Sequence, residues 1–224
     1  MKIKNLGLII LMALFFMHSI PALAGSYEKG KQLYEQKKYV QSYPYLKKSL
    51  SGKHPETYAM LGYLYREGHG VKQDYQKAFL LYLEGARLGD AKSQFGLGYM
   101  YKNGLFVKQD YDKAKTWYEH SANQGYYSAM NNLGLLYKNE NTGFKDEKKA
   151  FEWMRNAALK NDPSAQYNIG NFYEDGTGTK KDYAEARKWY EKAIAQGKME
   201  AKNTLGILYL EGKGGPKDQP KGVA

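Results

Sequence analysis

The chain has 224 residues, a formal net charge of +11 and no cysteine. The lack of cysteine excludes disulfides, thiol catalysis, thiolate metal sites and a lipid attached to an N-terminal cysteine. The positive charge favours acidic partners, anionic polymers or membrane surfaces, with simple solubility as the alternative. Because the lysines are spread along the sequence rather than clustered, we expect no nucleic-acid partner.

The N-terminal segment, residues 1–24, has the pattern of a secretory signal peptide. Two lysines precede an apolar run over residues 6–17, and small residues stand at Ala22 and Ala24. An uncleaved anchor is the alternative, but the run is shorter than the ~20 residues that a membrane-spanning helix needs. We therefore expect cleavage before Gly25, a periplasmic or secreted product, and no transmembrane segment.

A short motif recurs through the rest of the chain at a fixed spacing of 36 residues. It consists of Leu or Ile, then Gly, two variable residues and Tyr. The motif glycines are Gly62, Gly98, Gly134, Gly170 and Gly206. A period between about 20 and 50 residues indicates stacked supersecondary units.

Each full unit is predicted to contain two helices joined by a loop. The motif helix comes first, and its glycine lets the second helix approach closely. Aspartates that can cap the second helix are Asp74, Asp110, Asp146 and Asp182. The second helix is predicted to pack through one small and one large side chain in each unit. The small residues are Ala78, Ala114, Ala150 and Ala186, and the large residues are Leu81, Trp117, Trp153 and Trp189. Left-handed cap residues are expected at Gly89, Gly125, Asn161 and Gly197.

These signals divide the mature chain into a series of units. They are a shorter N-terminal unit (25–53), four full units (54–89, 90–125, 126–161 and 162–197), a terminal half unit (198–211) and a flexible tail (212–224). In the N-terminal unit, helices are predicted from Tyr27 to about Gln36 and from about Val40 to Leu50. No second helix is apparent after the last motif helix, which is therefore either a cap or an open apolar strip for a partner or a second copy.

The residues between Ser164 and Ala193 combine the motif with a glycine loop, Asp182, Ala186 and a later Trp-Tyr pair. This order resembles the signature of the Sel-1-like repeat family, relatives of the tetratricopeptide repeats, and the resemblance covers about 26–218. It implies an all-α fold, a right-handed α-solenoid of stacked antiparallel helix pairs. For an exported member it also implies an adaptor of the bacterial cell envelope. One departure is Phe106, which replaces a loop glycine.

The sequence offers little catalytic chemistry. Its glycine-rich loops lack the spacing of a phosphate-binding loop, and its serines lack a nucleophile elbow. The histidines are too scattered for a metal-binding face, and His69 is interpreted as a solvent-exposed loop residue. We therefore predict no catalytic residue, no cofactor and no metal. The enzymatic alternative comes from the resemblance, since a cysteine-rich branch with this repeat is linked to β-lactam binding and hydrolysis.

Resemblance to tetratricopeptide grooves predicts a partner-binding surface on the motif helices. The inward positions lie three residues before and one, four and five after each motif glycine. They are Tyr63, Arg66, Phe95, Tyr99, Lys102, Asn103, Asn131, Lys138, Asn139, Tyr167 and Asn171. Rings interleaved with cations and amides suit a peptide or protein partner that is acidic or has an exposed carboxylate, and an ordinary solvated helix face is the alternative. Besides a scaffold and an enzyme, a third possible function of the protein is docking on anionic envelope polymers.

Overall fold

The structure, a computed structural model, describes residues 25–52 and 54–222. These residues form α-helices, short 3-10 turns and loops, and none of them lies in a β-strand. The predicted all-α fold is confirmed. The signal peptide predicted over residues 1–24 lies outside the described residues. Within the described ranges, no helix combines the length and the apolar character that a bilayer span requires.

The helices follow one another with short connections. Residues 25–35 form α1. The later helices are α2 (Tyr39–Ser49), α3 (Pro55–Glu67), α4 (Tyr75–Arg87), α5 (Ala91–Asn103), α6 (Tyr111–Asn123), α7 (Tyr127–Lys138), α8 (Glu147–Leu159), α9 (Pro163–Asp175), α10 (Tyr183–Ala195), α11 (Glu200–Glu211) and α12 (Gln219–Gly222). Two 3-10 turns, Leu50–Gly52 and Glu140–Thr142, follow α2 and α7.

The described residues divide into two compact units, with the boundary between Gln109 and Asp110. In the first unit the helices from α2 to α5 pack in sequence, and α3 also contacts α5. In the second unit the helices from α6 to α12 pack in sequence. Packing of each helix on its sequence neighbours is the organisation of a solenoid, in which the core continues from one helix pair to the next.

The predicted aspartates start the second helix of each full unit. Each side chain accepts a hydrogen bond from a backbone N–H in the first turn: Asp74 from Lys77 (2.9 Å), Asp110 from Lys113 (2.9 Å), Asp146 from Lys149 (3.0 Å) and Asp182 from Glu185 (3.0 Å). These bonds satisfy donors that have no partner inside the helix. The four predicted caps are confirmed.

The large buried residue of the second helix lies one position after the predicted one. The residues at this position are at most 2% exposed: Tyr82, Tyr118, Met154 and Tyr190. Three of the predicted residues (Leu81, Trp117 and Trp153) are only half-buried, and Trp189 alone is buried. Both positions lie on the face of the buried alanine at i, but residue i+4 is about 40° around the helix from it, whereas residue i+3 is about 60° away on the other side.

The predicted left-handed cap residues adopt that conformation. The φ angles are 85° at Gly89, 87° at Gly125, 63° at Asn161 and 85° at Gly197. Phe106, which replaces a loop glycine, also has a positive φ of 65°. Its ring lies 5.6 Å from that of Phe79, so a contact within the first unit holds a side chain in a conformation that glycine adopts freely.

The described part of the C-terminal tail packs against α11. The backbone N–H of Asp218 donates to the carbonyl of Tyr209 at 3.1 Å, and Arg187 Nη1 on α10 donates to the carbonyl of Pro216 at 3.5 Å. The short helix α12 then lies against Gly206, where a β-carbon would be 2.8 Å from the carbonyl oxygen of Gly222. A short second helix is therefore present where the sequence showed none.

Candidate partner-binding surface

In the first unit, the guanidinium of Arg66 lies between two tyrosine rings. Its Cζ is 5.4 Å from the ring centre of Tyr63 on α3 and 4.3 Å from that of Tyr99 on α5. The Nε donates a 2.6 Å hydrogen bond to Glu67, and the arginine side chain is only 11% exposed. Burial lowers the pKa of Arg66, but the nearby Tyr82 and Glu67 outweigh it and the net pKa is raised. The structure therefore holds a permanent cation between aromatic rings.

The repeat explains why these residues meet. Tyr63 and Arg66 are three residues apart on α3, which places them on one helix face. Tyr99 is the counterpart of Tyr63 one repeat later, and the contact of α3 with α5 brings it beside Arg66. Three predicted surface residues are thus adjacent.

The other predicted residues of the first unit lie along α5. Lys102 is half-buried one turn after Tyr99, and its burial lowers the pKa of its ammonium group. Phe95 is half-buried one turn before Tyr99. Asn103 is exposed, and its Nδ2 donates to the carbonyl of Tyr99 at 2.8 Å, so its amide is partly used within its own helix.

An aromatic cluster next to Tyr63 was not expected from the sequence. Its other members are Tyr34, Tyr39 and His69, and the ring of His69 stacks on Tyr39 at 4.9 Å and lies 5.6 Å from Tyr63. The interpretation of His69 as a solvent-exposed residue is wrong. The loop between α3 and α4 lies close to α2 because Gly70 packs on the start of that helix, where a β-carbon at Gly70 would be 2.8 Å from the Val40 nitrogen. The glycines flanking His69 were the available signal.

In the second unit, two residues of the predicted surface contact side chains outside the predicted set. Asn131 Oδ1 on α7 accepts a 3.0 Å hydrogen bond from Asn168 Nδ2 on α9. Lys138 Nζ lies 4.8 Å from the ring centre of Phe172. Asn168 lies two residues before the motif glycine, which is not one of the predicted inward positions. Its place in the sequence did not indicate this contact.

Tyr167 and Asn171 come together around a residue of α10. The hydroxyl of Tyr190 lies 2.6 Å from Asn171 Oδ1 and 2.7 Å from Glu174 Oε2, so its single proton has two acceptors, and the ring centre lies 5.8 Å from that of Tyr167. Burial, followed by the bond to Glu174, raises the pKa of Tyr190. The hydroxyl therefore keeps its proton and holds Asn171 and Glu174 close together.

Asn139 serves the loop rather than a neighbouring helix. Its Oδ1 accepts a 2.9 Å hydrogen bond from the backbone N–H of Asn141 and so starts the 3-10 turn after α7. The Nδ2 group of Asn139 is the part of the side chain that a partner could contact. In the described ranges of the chain, no group of three or more His, Asp or Glu side chains is arranged to hold a metal ion.

The repeat architecture agrees with a known family. The model of the Sel1 repeat matches residues 55–90, 91–126, 128–162, 163–198 and 200–224. The chain belongs to the Sel1 repeat family. The matched stretches begin at or close to the start of each motif helix, and the resemblance found in the sequence is confirmed. Sel1 repeat proteins commonly serve as protein–protein interaction scaffolds.

Solved Sel1 structures have the same fold. A Sel1 repeat protein from Oxalobacter formigenes is 34% identical, with a TM-score of 0.76 over 88% of this chain and 79% of that one. A protective antigen present in uropathogenic Escherichia coli strains, which displays an SLR fold, is 27% identical with a TM-score of 0.75 over 90% of this chain but only 44% of its own length. An immunity protein from Pseudomonas aeruginosa, 21% identical with a TM-score of 0.61, covers 91% of this chain and 79% of its own and shares the fold alone. Comparison with curated proteins gives no match.

Proposed function

We propose that this Sel1 repeat protein is an exported, non-catalytic scaffold of the bacterial cell envelope that binds an acidic peptide or protein partner. In the first unit the binding surface comprises Tyr63, Arg66, Phe95, Tyr99, Lys102 and Asn103, and Arg66 anchors the partner's carboxylate. The second unit carries the other predicted residues on its own motif helices: Asn131, Lys138, Asn139, Tyr167 and Asn171. The observation that carries the proposal is the position of Arg66 between Tyr63 and Tyr99.

The chemistry of the Arg66 site suits a carboxylate. A guanidinium presents a planar fork of donors that can bind both carboxylate oxygens, and such charge-assisted bonds are stronger than neutral ones. The flanking rings fix the orientation of the fork, which lowers the entropic cost of binding. Lys102 on α5 adds a second cation in the same unit.

Export is part of the proposal. It is supported by the signal-peptide pattern of residues 1–24. It is also supported by the similarity to a protective antigen of uropathogenic strains. N-terminal sequencing of protein recovered from a bacterial periplasmic extract should begin at Gly25, and recovery of the full-length chain only in the cytoplasm would refute export.

Peptide binding can be tested with one arginine substitution and a matched control. Acidic peptides with free or amidated C-termini are titrated into the wild type, Arg66→Met and Arg87→Met, with calorimetry as the measurement. Arg87 is an exposed arginine of the same unit that pairs with Glu84 at 2.7 Å. We expect at least tenfold weaker binding for Arg66→Met and no change for Arg87→Met.

Two outcomes would count against the proposal. Equal affinity of Arg66→Met and the wild type would show that Arg66 is not the anchor. Equal weakening by both arginine substitutions, abolished by salt, would favour general attraction of anionic polymers, because exposed charge contacts are screened at high ionic strength.

A further inference from the structure

A pocket of about 290 Å³ lies in the first unit, among the helices α2, α3 and α4. Its apolar lining includes Leu61, which is 1% exposed, together with Leu50 and Leu81. Leu50, Leu81 and Tyr43 pack against the buried core cluster to which Leu61 belongs, so these walls are part of the folded core. None of the lining residues belongs to the surface assigned under the proposed function, so a ligand of this pocket is additional to the partner proposed there.

At the position of Leu81, the later repeats have a tryptophan. Its counterparts are Trp117, Trp153 and Trp189, and the counterparts of Leu50 are Ala86, Ala122 and Ala158. Ala158 and Trp189 line one cavity together, so the two positions are neighbours in the fold. The later repeats therefore combine a bicyclic ring with a methyl group at this place, whereas Leu50 and Leu81 supply no ring.

The rim of the pocket is apolar at a position where the later repeats are polar. Leu80 lines the pocket and is 50% exposed, and its counterparts are Thr116, Glu152 and Lys188. Apolar surface at a pocket rim gains free energy when a partner's side chain removes it from water. The volume suits one large side chain, because pockets for drug-sized ligands measure about 300–1,000 Å³.

Three charged side chains line the pocket, and one of them is uncommitted. Lys77 pairs with Asp74 at 3.0 Å. Glu84 pairs with Arg87 at 2.7 Å. Lys47 is exposed and forms no ion pair with any residue that the structure describes. Its charge therefore favours a ligand that carries an acidic group beside the apolar one.

We propose that this pocket receives an aromatic side chain of a peptide or protein partner, with an acidic residue next to that side chain. The ring packs on Leu50, Leu61 and Leu81, and the neighbouring carboxylate pairs with Lys47. A ring is favoured over an aliphatic side chain because the later repeats place an indole at this position. Aromatic residues that fill such pockets are frequent anchors of protein–protein interfaces.

Leucine methyl signals report directly on this pocket. They are followed in a ¹H–¹³C spectrum of the leucine-labelled protein, and Leu61→Met and Leu81→Met identify the signals of interest. The probe is the peptide acetyl-Glu-Trp-Glu amide. In acetyl-Glu-Leu-Glu amide an aliphatic side chain replaces the ring, in acetyl-Glu-Ala-Glu amide the large side chain is missing, and in acetyl-Lys-Trp-Lys amide the flanking charges are reversed.

We expect a saturable upfield shift of the Leu61 and Leu81 methyl signals with the Glu-Trp-Glu peptide, because an aromatic ring shields methyl groups that pack on its face. The signals of Leu159, an exposed leucine of the second unit, should not move. The Lys-Trp-Lys peptide should bind at least fivefold more weakly. In competition, the leucine peptide should be at least fivefold weaker, and the alanine peptide should not compete.

Several outcomes of these titrations would overturn the proposal. One is the absence of any shift at Leu61 and Leu81, and another is an equal shift at Leu159. Equal binding of the leucine peptide would contradict the choice of a ring, and equal binding of the Lys-Trp-Lys peptide would contradict the acidic neighbour.

Variants of the pocket separate binding from folding. Leu50→Ala combined with Leu81→Trp recreates the pair of the later repeats, so it should keep the melting temperature and weaken the Glu-Trp-Glu peptide at least tenfold, measured through the Leu61 signals. Leu80→Thr introduces the residue of the next repeat and should weaken the peptide at least threefold. Leu88→Thr is its matched control, because Leu88 is 47% exposed and lies outside the pocket lining.

Charge variants complete the test. Lys47→Met should reduce the preference for the Glu-Trp-Glu peptide over the Lys-Trp-Lys peptide, whereas Lys48→Met, on the same helix but outside the lining, should leave it unchanged. Arg66→Met should shift the Leu61 signals as the wild type does, which distinguishes this pocket from the surface of the proposed function. Wild-type affinity in both the double variant and Leu80→Thr would refute the pocket, and so would loss of the Leu61 shift in Arg66→Met.

Discussion

Gly62 lies directly against the ring of Tyr82, and a β-carbon at Gly62 would be 2.7 Å from Cε1 of that ring. The same relationship links Gly134 to Met154, whose Cε would be 2.9 Å from an added β-carbon. Glycine within a helix costs about 1 kcal/mol relative to alanine. The recurring glycine is therefore explained by the close approach of the second helix of each pair.

Gly62→Ala should destabilise the protein despite the higher helix propensity of alanine. Overpacking of a filled core costs about 1–3 kcal/mol, and the propensity gain offsets up to about 1 kcal/mol of it. We expect a net loss of about 1–2 kcal/mol in the free energy of unfolding, measured by urea denaturation.

Replacing the opposing ring provides the control for this prediction. In a double-mutant cycle, Tyr82→Leu removes the atoms that the new β-carbon meets, so Gly62→Ala should cost less in that background than in the wild type. An equal cost in both backgrounds would mean that the ring is not the obstacle.

The cost of replacing a positive-φ glycine with alanine should depend on the atoms that the new β-carbon would meet. Gly143 and Gly178 have φ values of 79° and 65°, but a β-carbon at Gly143 meets open space, whereas one at Gly178 would meet the carbonyl oxygen of Glu147. Gly143→Ala should cost about 1–2 kcal/mol for the left-handed conformation alone. Gly178→Ala should cost about 3 kcal/mol or more, because a backbone clash is added. Similar urea midpoints for the two variants would contradict this.

The capping aspartates should make stability depend on acid pH. Hydrogen bonds from backbone N–H groups lower the pKa of Asp74, Asp110 and Asp146 below the ordinary value of 3.8. A lowered pKa in the folded state gives a stabilisation that is present above the unfolded value and is lost as pH falls through the folded value. The urea midpoint should therefore stay level from neutral pH to about pH 5 and decrease below about pH 4.

The matched variant for this prediction replaces all three aspartates with asparagine. Asparagine caps a helix about as well as aspartate but does not titrate in this range. We expect nearly unchanged stability at pH 7 and a smaller loss between pH 5 and pH 3. If the variant loses stability between pH 5 and pH 3 as steeply as the wild type, the loss comes from other carboxylates.

Tyr65 should contribute to an alkaline loss of stability. Burial and a 2.7 Å hydrogen bond with Tyr43 raise the pKa of Tyr65 from 10.0 to about 12. A raised pKa in the folded state means that the stabilisation is complete below pH 10 and is lost as pH rises toward 12. Tyr65→Phe should cost about 1 kcal/mol at neutral pH and should reduce the loss between pH 10 and 12, measured by thermal melts.

An exposed tyrosine on α2 serves as the comparison. Tyr45 is 41% exposed, so Tyr45→Phe should leave both the neutral stability and the alkaline loss close to those of the wild type. If Tyr45→Phe reduces the alkaline loss as much as Tyr65→Phe does, the loss does not come from the Tyr43–Tyr65 pair.

Local signals in the sequence determined the repeat, the helix pairs and their caps. Glycines with a positive φ and aspartates before a helix act within a few residues, so their roles are independent of the rest of the fold. Asp74 and Gly89 could therefore be assigned without coordinates. The motif spacing likewise predicted that Tyr63 and Tyr99 occupy equivalent places on consecutive motif helices.

Tertiary structure decided the contacts of each side chain. Whether Trp117 or Tyr118 is the fully buried residue depends on the rotation of α6 against its neighbours, and a difference of one residue along a helix turns a side chain by about 100°. The stacking of His69 on Tyr39 and the pairing of Asn131 with Asn168 depend on residues that are 30 or more positions apart. The sequence by itself thus determined the scaffold, because helices and caps are local, whereas the ring pair around Arg66 and the pocket beside Leu81 came only from packing between helices.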